Sequence, residues 1–433
     1  MEFIPRTMGT RPRLACEVRA EGVVAARAED AFAVLSAVSR VLLADEVVVP
    51  RLTAIEADGT VDSSTDAVSS VVGGSAKGRA VVVASVRKAL EAVCLRSRDV
   101  TLIVPDASVR VLLLDFDELP AKAAEALRVV RFRLKKLLPF DADDAAISYQ
   151  VMSTTKNLLR VLAVAMPREL LADYESVVRE AGFEPGAILP STVAALAGLP
   201  ESASPQLVVN AGHEGVTTAI VKGGVLLLHR TVDLGADQRA DADAAAANAA
   251  ATTKAAELAA VAELAANALR LSLVDRERSA EEWAKQEPLS LAEQNSAAAT
   301  REAELIEQEV ESEISAEVME EIDAELASVL SAEASELAAE QSRSENADEV
   351  AQAVSVAAAY FEDTLEISPT SVHVAGTLGA AALTALLAQA NVGPLAVNEI
   401  IRSEMLGAGA STAGTHGAVP LGWLAGVRGA LAN

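Results

Sequence analysis

"DELPAKAAEALRVVRFRLKKLLPFDADDAAISYQVM" (117–152) and "LRVLAVAMPRELLADYESVVREAGFEPGAILPSTVAAL" (159–196) decide the fold of this chain. In the first, Leu127, Val130, Leu134 and Leu137 recur at steps of three and four, so residues 121–138 read as an amphipathic helix with one apolar face. Its other positions carry Arg128, Arg131, Arg133, Lys135 and Lys136. "AISYQVM" alternates as a strand, and "LLRVLAVAM" reads as a buried one. Pro167 then opens a helix to Ala181 with Leu171, Tyr174 and Val178 inward, and Gly182 stops it. "GAILP" is a short strand, and Ser191 is placed to cap another short helix. Just upstream, "DVTLIVPD" (99–106) and "VRVLLLDF" (109–116) read as strands.

Outward from this α/β stretch lie two similar units. Residues 14–27, "LACEVRAEGVVAAR", read as a β-hairpin with Gly22 in its turn. "LVVNAGHEGVTTAIVKGG" (207–224) is a longer version, with a third strand over Val225–Val232. Each opens about half of the chain, which suggests an internal duplication. After Gly235 the composition turns to Ala, Glu, Gln and Ser, with Trp283 an isolated aromatic and a linker near Pro288. Residues 254–273 read as an amphipathic helix. Further on, Ile306, Val310, Ile314, Val318, Ile322, Leu326 and Leu330 recur at a spacing of four, a ridge that winds around a helix. Order resumes near Glu349: a helix to about Leu365, the strand "SVHVAG" (371–376), a helix near Ala380–Ala390, and a final helix started by Pro420.

The chain has 433 residues, enough for two or more domains. Its net charge of −26 excludes a nucleic-acid partner, because phosphate binding needs a basic face. The charge is concentrated in residues 301–349, which hold seventeen acidic residues against two basic ones. Cys16 and Cys94 sit in no Cys-x-x-Cys or Cys/His cluster, so no metal site is expected. The first residues lack the apolar core of a signal peptide, and no apolar run reaches the length of a membrane span.

Residues 99–200 resemble the type IV pilus assembly protein M (PilM) family. The resemblance rests on Leu138-Pro139-Phe140, the acidic turn Asp141–Asp144, Tyr149-Gln150, Ala165-Met166-Pro167 and Ala181-Gly182-Phe183, in this order and spacing. "VSVAAAYFEDTL" resembles the family's helix before its last nucleotide-site strand, and "VHVAGTLGAAAL" resembles that strand and its glycine turn. The resemblance covers most of 1–235 and 349–433 and omits 236–348. It implies an α/β, actin-like fold of the FtsA and PilM type. The expected domains are a first half over 1–84 and 167–200, an inserted small α/β subdomain over 85–166, and a second half over 201–235 and 349–433. An acidic low-complexity insertion, helical or partly disordered, would fill 236–348.

The resemblance also implies a cytoplasmic scaffold, peripheral to the inner membrane through its partner. That partner is the cytoplasmic N-terminal tail of a one-span pilus protein (PilN-like), gripped in a groove beside the inserted subdomain. The scaffold would link the pilus motor to the periplasmic alignment complex. Leu137, Leu138, Pro139 and Phe140 are the candidate groove wall, Pro139 fixing the helix exit and Phe140 offering a large apolar surface. The type II secretion L-type proteins are a further comparison, but they carry a span near their C-terminus.

The nucleotide loops of that family depart from their pattern here. The first hairpin has Glu17 and Arg19 where the family reads Asp-x-Gly, with Glu21 and Gly22 following. The second has Asn210 in place of the acid that organises Mg²⁺, then Gly212, His213, Glu214, Gly215 and Thr217. In the third, paired glycines become Gly376-Thr377, with Gly379 beyond. The expectation is a degenerate cleft without a cofactor and without catalysis, His213 being a solvated loop histidine rather than a base. The competing reading is an actin-like ATPase or ATP-gated switch. The basic positions 128–136 read either as a solvated face or as a contact for anionic lipid headgroups or an acidic partner.

Overall fold

The computed structural model describes residues 12–29, 34–43, 52, 72, 75–156, 158–200, 202–212, 215–234, 346–390, 395–407, 410 and 419–432. The helix expected at 254–273, the ridge Ile306–Leu330, Trp283 and the linker at Pro288 lie outside them, as do His213 and Glu214.

Two five-stranded sheets share one plan. In the first, β1 (Leu14–Val18), β2 (Gly22–Ala28) and β3 (Leu35–Leu42) form an antiparallel meander. β4 (Asp99–Val104) runs parallel to β1, and β8 (Glu184–Pro190) runs parallel to β4, giving the order β3-β2-β1-β4-β8. The second repeats this with β9 (Gln206–Ala211), β10 (Gly215–Lys222), β11 (Val225–Asp233), β12 (Ser371–Gly376) and β13 (Ala396–Glu399), in the order β11-β10-β9-β12-β13. Every strand pairing has the same direction as its counterpart. The duplication suggested by two hairpins is thus a duplication of whole sheets.

The period-2 alternation of a strand sends neighbouring side chains to opposite faces. On β1, Leu14, Cys16 and Val18 join one apolar cluster while Ala15 joins another. The first of these clusters receives α1 (Ala76–Val93), through Val82, Val86, Leu90 and Val93, and α3 (Arg168–Glu180), through Leu170, Tyr174 and Val177. On β9, Leu207, Val209 and Ala211 meet the helix α5 (346–365), at Val350, Val354 and Phe361, and α6 (Gly379–Gln389), at Leu383 and Leu387. The opposite faces meet each other. Val24, Ala26 and Ile103 of the first sheet and Val208, Ala219 and Leu226 of the second belong to one cluster. Two helices carry it: α4 (Ser191–Ala197), and α7 (Ala425–Leu431) with the 3-10 turn Leu421–Leu424 before it. Trp423, Leu424, Val427 and Leu431 are buried there, each worth about 1.5–3 kcal/mol.

A separate three-stranded antiparallel sheet has the order β5-β7-β6: β5 (Arg110–Phe116), β7 (Leu159–Pro167), β6 (Ala145–Thr154). Helix α2 (Ala123–Leu134) covers it with Ala126, Val130 and Leu134. The small sheet and its helix therefore occupy residues 110–167. The expected start at 85 falls inside α1, and β4 belongs to the first sheet. The expected helix 121–138 is also shorter. Its last turn loosens after Leu134, which turns Leu137 outward at 42% exposure and leaves Leu138 to enter the core.

Candidate functional site

Glu17 of β1 shares a face with Ala15, and Asn210 of β9 shares a face with Val208. The two sheets therefore aim these polar residues at each other above their common apolar cluster. Glu17 is fully buried and Asn210 is 5% exposed. Arg19, in the β1–β2 turn, folds back so that its Nη2 lies 2.5 Å from Glu17 Oε1. The same guanidinium donates to Ser191 Oγ at 3.0 Å, and Ser191 Oγ donates to Glu17 Oε1 at 2.6 Å. Asn210 Nδ2 lies 2.9 Å from both Ser191 Oγ and Thr192 Oγ1, and 3.3 Å from Asp106 Oδ2. Thr192 donates its backbone N–H to Asp106 Oδ1 at 3.0 Å and its hydroxyl to Oδ2 at 2.5 Å. These six residues are all at most 8% exposed.

Asp106 had no place among the expected site residues. It opens the 3-10 turn Asp106–Ser108 that follows β4, and its partner Thr192 lies far along the chain, so spacing does not betray it. It also corrects the expected cap. Pro190 sets the entry to α4 and Ser191 is already its first helical residue. The Ser191 hydroxyl is thus free to turn to Glu17, and the orphan N–H of Thr192 is met by the Asp106 carboxylate instead.

The third loop joins the same cluster. Thr377 Oγ1 donates to Glu21 Oε1 at 2.7 Å, tying the first hairpin to the end of β12. Gly376 takes φ +96°, and a Cβ there would stand 2.8 Å from Asn210 Oδ1, so only glycine fits. Gly379 also has positive φ at the start of α6, whose Ala380 N–H donates to Glu399 Oε1 at 2.8 Å. Gly22 starts β2, Gly212 lies against Glu21, and Gly215 starts β10. Thr217 is buried and shares a 3.0 Å hydrogen bond with Thr231. The space left among Arg19, Glu21, Asp106, Ser191, Asn210 and Thr217 is about 60 Å³.

Burial pushes the Glu17 carboxyl above its ordinary range, against the opposing pull of Arg19 and the Ser191 hydrogen bond. A raised folded-state value means that the native protein keeps this proton to higher pH than the unfolded chain. The associated stability is fully present below about pH 4.5 and is lost as pH rises through the folded value. Glu17→Gln mimics the protonated side chain and leaves Arg19 its hydrogen bond to Ser191. The variant is expected to melt with a flatter dependence on pH between 5 and 8 than the parent. An unchanged slope would assign the dependence to another group.

A second concavity, of about 340 Å³, lies where the small sheet meets the first sheet. Ala146, Ile147 and Ser148 of β6 form one wall, Gly186, Ala187 and Ile188 of β8 the other, with Val164, Met166 and Leu171 between them. β6 and β8 are both edge strands, and neither has an outer neighbour among the described strands. Glu175 is the charged residue of the lining. Leu137, Leu138, Pro139 and Phe140 do not line it. Leu138 is buried in the small sheet's core, and Phe140 packs against both that core and the first sheet's.

The basic positions divide. Arg131 donates to the backbone carbonyls of Ala142 and Ala145, and Lys135 pairs with Asp143. Arg128, Arg133 and Lys136 are exposed. No group of acids, histidines and cysteines suited to a metal ion is present among the described residues. None of the described helices is long and apolar enough to cross a membrane.

No protein-family model and no curated protein matches the chain. Among solved structures it is similar to the PilM–PilN type IV pilus biogenesis complex, with a TM-score of 0.55 at 14% identity over 97% of this chain and 98% of that one. It also matches the ethanolamine utilization protein EutJ of Carboxydothermus hydrogenoformans, with a TM-score of 0.35 at 10% identity over 100% and 94% of the chains. The cytoplasmic domain of EpsL, an inner-membrane component of the type II secretion system of Vibrio cholerae, matches 51% of this chain and 70% of its own at 13% identity and a TM-score of 0.29. At these identities the likeness speaks to fold. The chain has the actin-like fold, and shares it over nearly its whole length with the structure of the PilM–PilN complex.

Proposed function

We propose that this chain is a PilM-type scaffold of a pilus inner-membrane assembly complex, holding the cytoplasmic tail of a one-span, PilN-like protein. The observation that carries the reading is the 340 Å³ groove between two edge strands. An extended peptide gains affinity from main-chain hydrogen bonds to such an edge and selectivity from alternate side chains in apolar pockets. The likeness to a complex of PilM with PilN supports the same choice. In this reading the two sheets with their helices are the actin-like halves, and 110–167 is the inserted subdomain. Coupling to the motor and the alignment complex would pass through the remaining surface. A labelled tail peptide from such a protein should bind the full chain saturably without nucleotide, read by fluorescence anisotropy. A parent chain that binds no tail ends the scaffold reading.

The cleft between the sheets serves in this reading as architecture rather than as a nucleotide site. Arg19 and Glu21 line the space that remains, and about 60 Å³ is far below the several hundred Å³ of a ligand pocket. ATP with Mg²⁺ is therefore expected to leave the melting temperature unchanged. Binding at a hundredfold excess over Kd would contribute about 2.7 kcal/mol and raise it by several degrees. A saturable rise at micromolar ATP would restore the ATP-gated switch as the better account.

A further inference from the structure

The exposed face of α2 combines features that neither the groove nor the cleft uses. At 100° per residue, Arg128, Phe132, Val129 and Arg133 fall in sequence across one arc of about 140°, and Lys136 in the following turn continues it. Phe132 is 73% exposed and Val129 37%. Arg128 and Arg133 flank these apolar side chains on either side. No ion pair involves Arg128, Arg133 or Lys136 among the described residues, while Glu125, one turn earlier within the same arc, is held by Lys122 at 3.2 Å. The face beyond Arg133 is buried through Ala126, Val130 and Leu134. Arg131 and Lys135, which follow Arg128 around the helix, are committed to Ala142, Ala145 and Asp143.

We infer that this face of α2 rests directly on an anionic lipid surface, with Phe132 and Val129 at the headgroup boundary and Arg128, Arg133 and Lys136 among the phosphates. Phe132 and Val129 stand exposed on a helix surface rather than between two strand edges, which suits a bilayer better than an extended peptide. A helix with cations flanking an exposed aromatic is the pattern of interfacial binding. The chain as a whole is strongly acidic, so a cluster of three unpaired cations around a bare phenyl ring stands against its background. The acidic residues of 301–349 do not cancel the attraction unless they come within a Debye length, about 8 Å at physiological salt. Each cation near an anionic surface strengthens partition about fivefold.

Vesicle flotation of the full chain, with no tail peptide present, tests this. The probes are neutral phosphatidylcholine vesicles and vesicles with about a third phosphatidylglycerol. The parent is expected to float with the anionic vesicles only, and to release as salt rises from 50 to 300 mM. Phe132→Ser and the double variant Arg128→Glu, Arg133→Glu should each weaken this at least tenfold. These residues lie on the solvent side, so melting should be unaltered and tail binding intact. Equal flotation with neutral vesicles, absence of flotation, or variants that float as well as the parent would each overturn the inference. Parent chain that fails to float but captures a polyglutamate peptide through Arg128 and Arg133 would make the occupant an acidic protein instead, and would equally overturn it.

Discussion

Arg19→Met is expected to destabilise the protein by about 3–5 kcal/mol at pH 8, the usual effect of removing one partner of a buried ion pair. In a domain of this size that corresponds to a fall in melting temperature of about 6–10 °C. The guanidinium is the cation 2.5 Å from a carboxylate with no exposure to water, and Ser191 loses a donor with it. The loss should shrink toward pH 5. Without Arg19 the already raised Glu17 takes up a proton more readily, and a neutral carboxyl needs no counter-charge. Adding Glu17→Gln to Arg19→Met should recover most of the stability at pH 8. A single variant that melts like the parent, or a double variant that melts no higher than Arg19→Met, would show that Glu17 and Arg19 do not act as a pair.

Filling the groove should abolish partner binding. Ser148 is exposed on the outer edge of β6 and lines the 340 Å³ concavity, so Ser148→Trp places a large ring where an extended peptide would lie. Ala187→Glu puts a charge on the opposite wall, beside Glu175. Each variant is expected to weaken tail binding at least thirtyfold, about 2 kcal/mol, with melting close to the parent's. Leu137→Asp, at a side chain outside the groove, should bind as the parent does. If Leu137→Asp weakens binding while Ser148→Trp does not, the tail lies along the end of α2 and not between the edges.

How much of this was legible before the structure depends on whether a feature is local. β4 and β7 announce themselves as apolar runs interrupted within by Thr101 and Arg160, because both faces of each are covered. α3 is legible because Tyr174 and Val178 repeat with the helix and Gly182 stands where it ends, but the buried leucine of its first turn is Leu170, and the expected Leu171 is only partly covered. β3 and α1 carried no such signal. "LSAVSRVL" breaks the alternation of a half-buried strand. The triple valine within α1 reads as strand, and becomes helix because Val82, Val86 and Leu90 complete a helical stripe under the first sheet. At the cleft, Glu17, Arg19 and Asn210 could be singled out, but not their mutual bonding. The residues that complete the network, Asp106, Ser191 and Thr192, come from segments that meet only in the fold. The groove is less legible still. Its walls are alanines, isoleucines, a serine and a glycine on two edge strands, ordinary in sequence and significant only as neighbours.

The placement of α7 has a consequence for how the protein comes to be folded. Arg428 Nη1 donates to Gly198 O at 2.8 Å, and a Cβ on Gly429 would collide with the Ala194 carbonyl, so the last helix lies flush on α4. Trp423 also takes the Arg40 guanidinium over its ring at 5.2 Å. The inner face of the first sheet therefore stays wet until residues more than two hundred positions downstream have been translated. During synthesis the outer cluster around α1 and α3 can form early, because its parts lie within 14–183. The inner cluster cannot, since closing so long a loop precedes any reward for it. A nascent chain paused after α6 would present Ala15, Val24, Ile103 and Leu196 as an uncovered apolar surface, a substrate for a chaperone until the final helix leaves the ribosome.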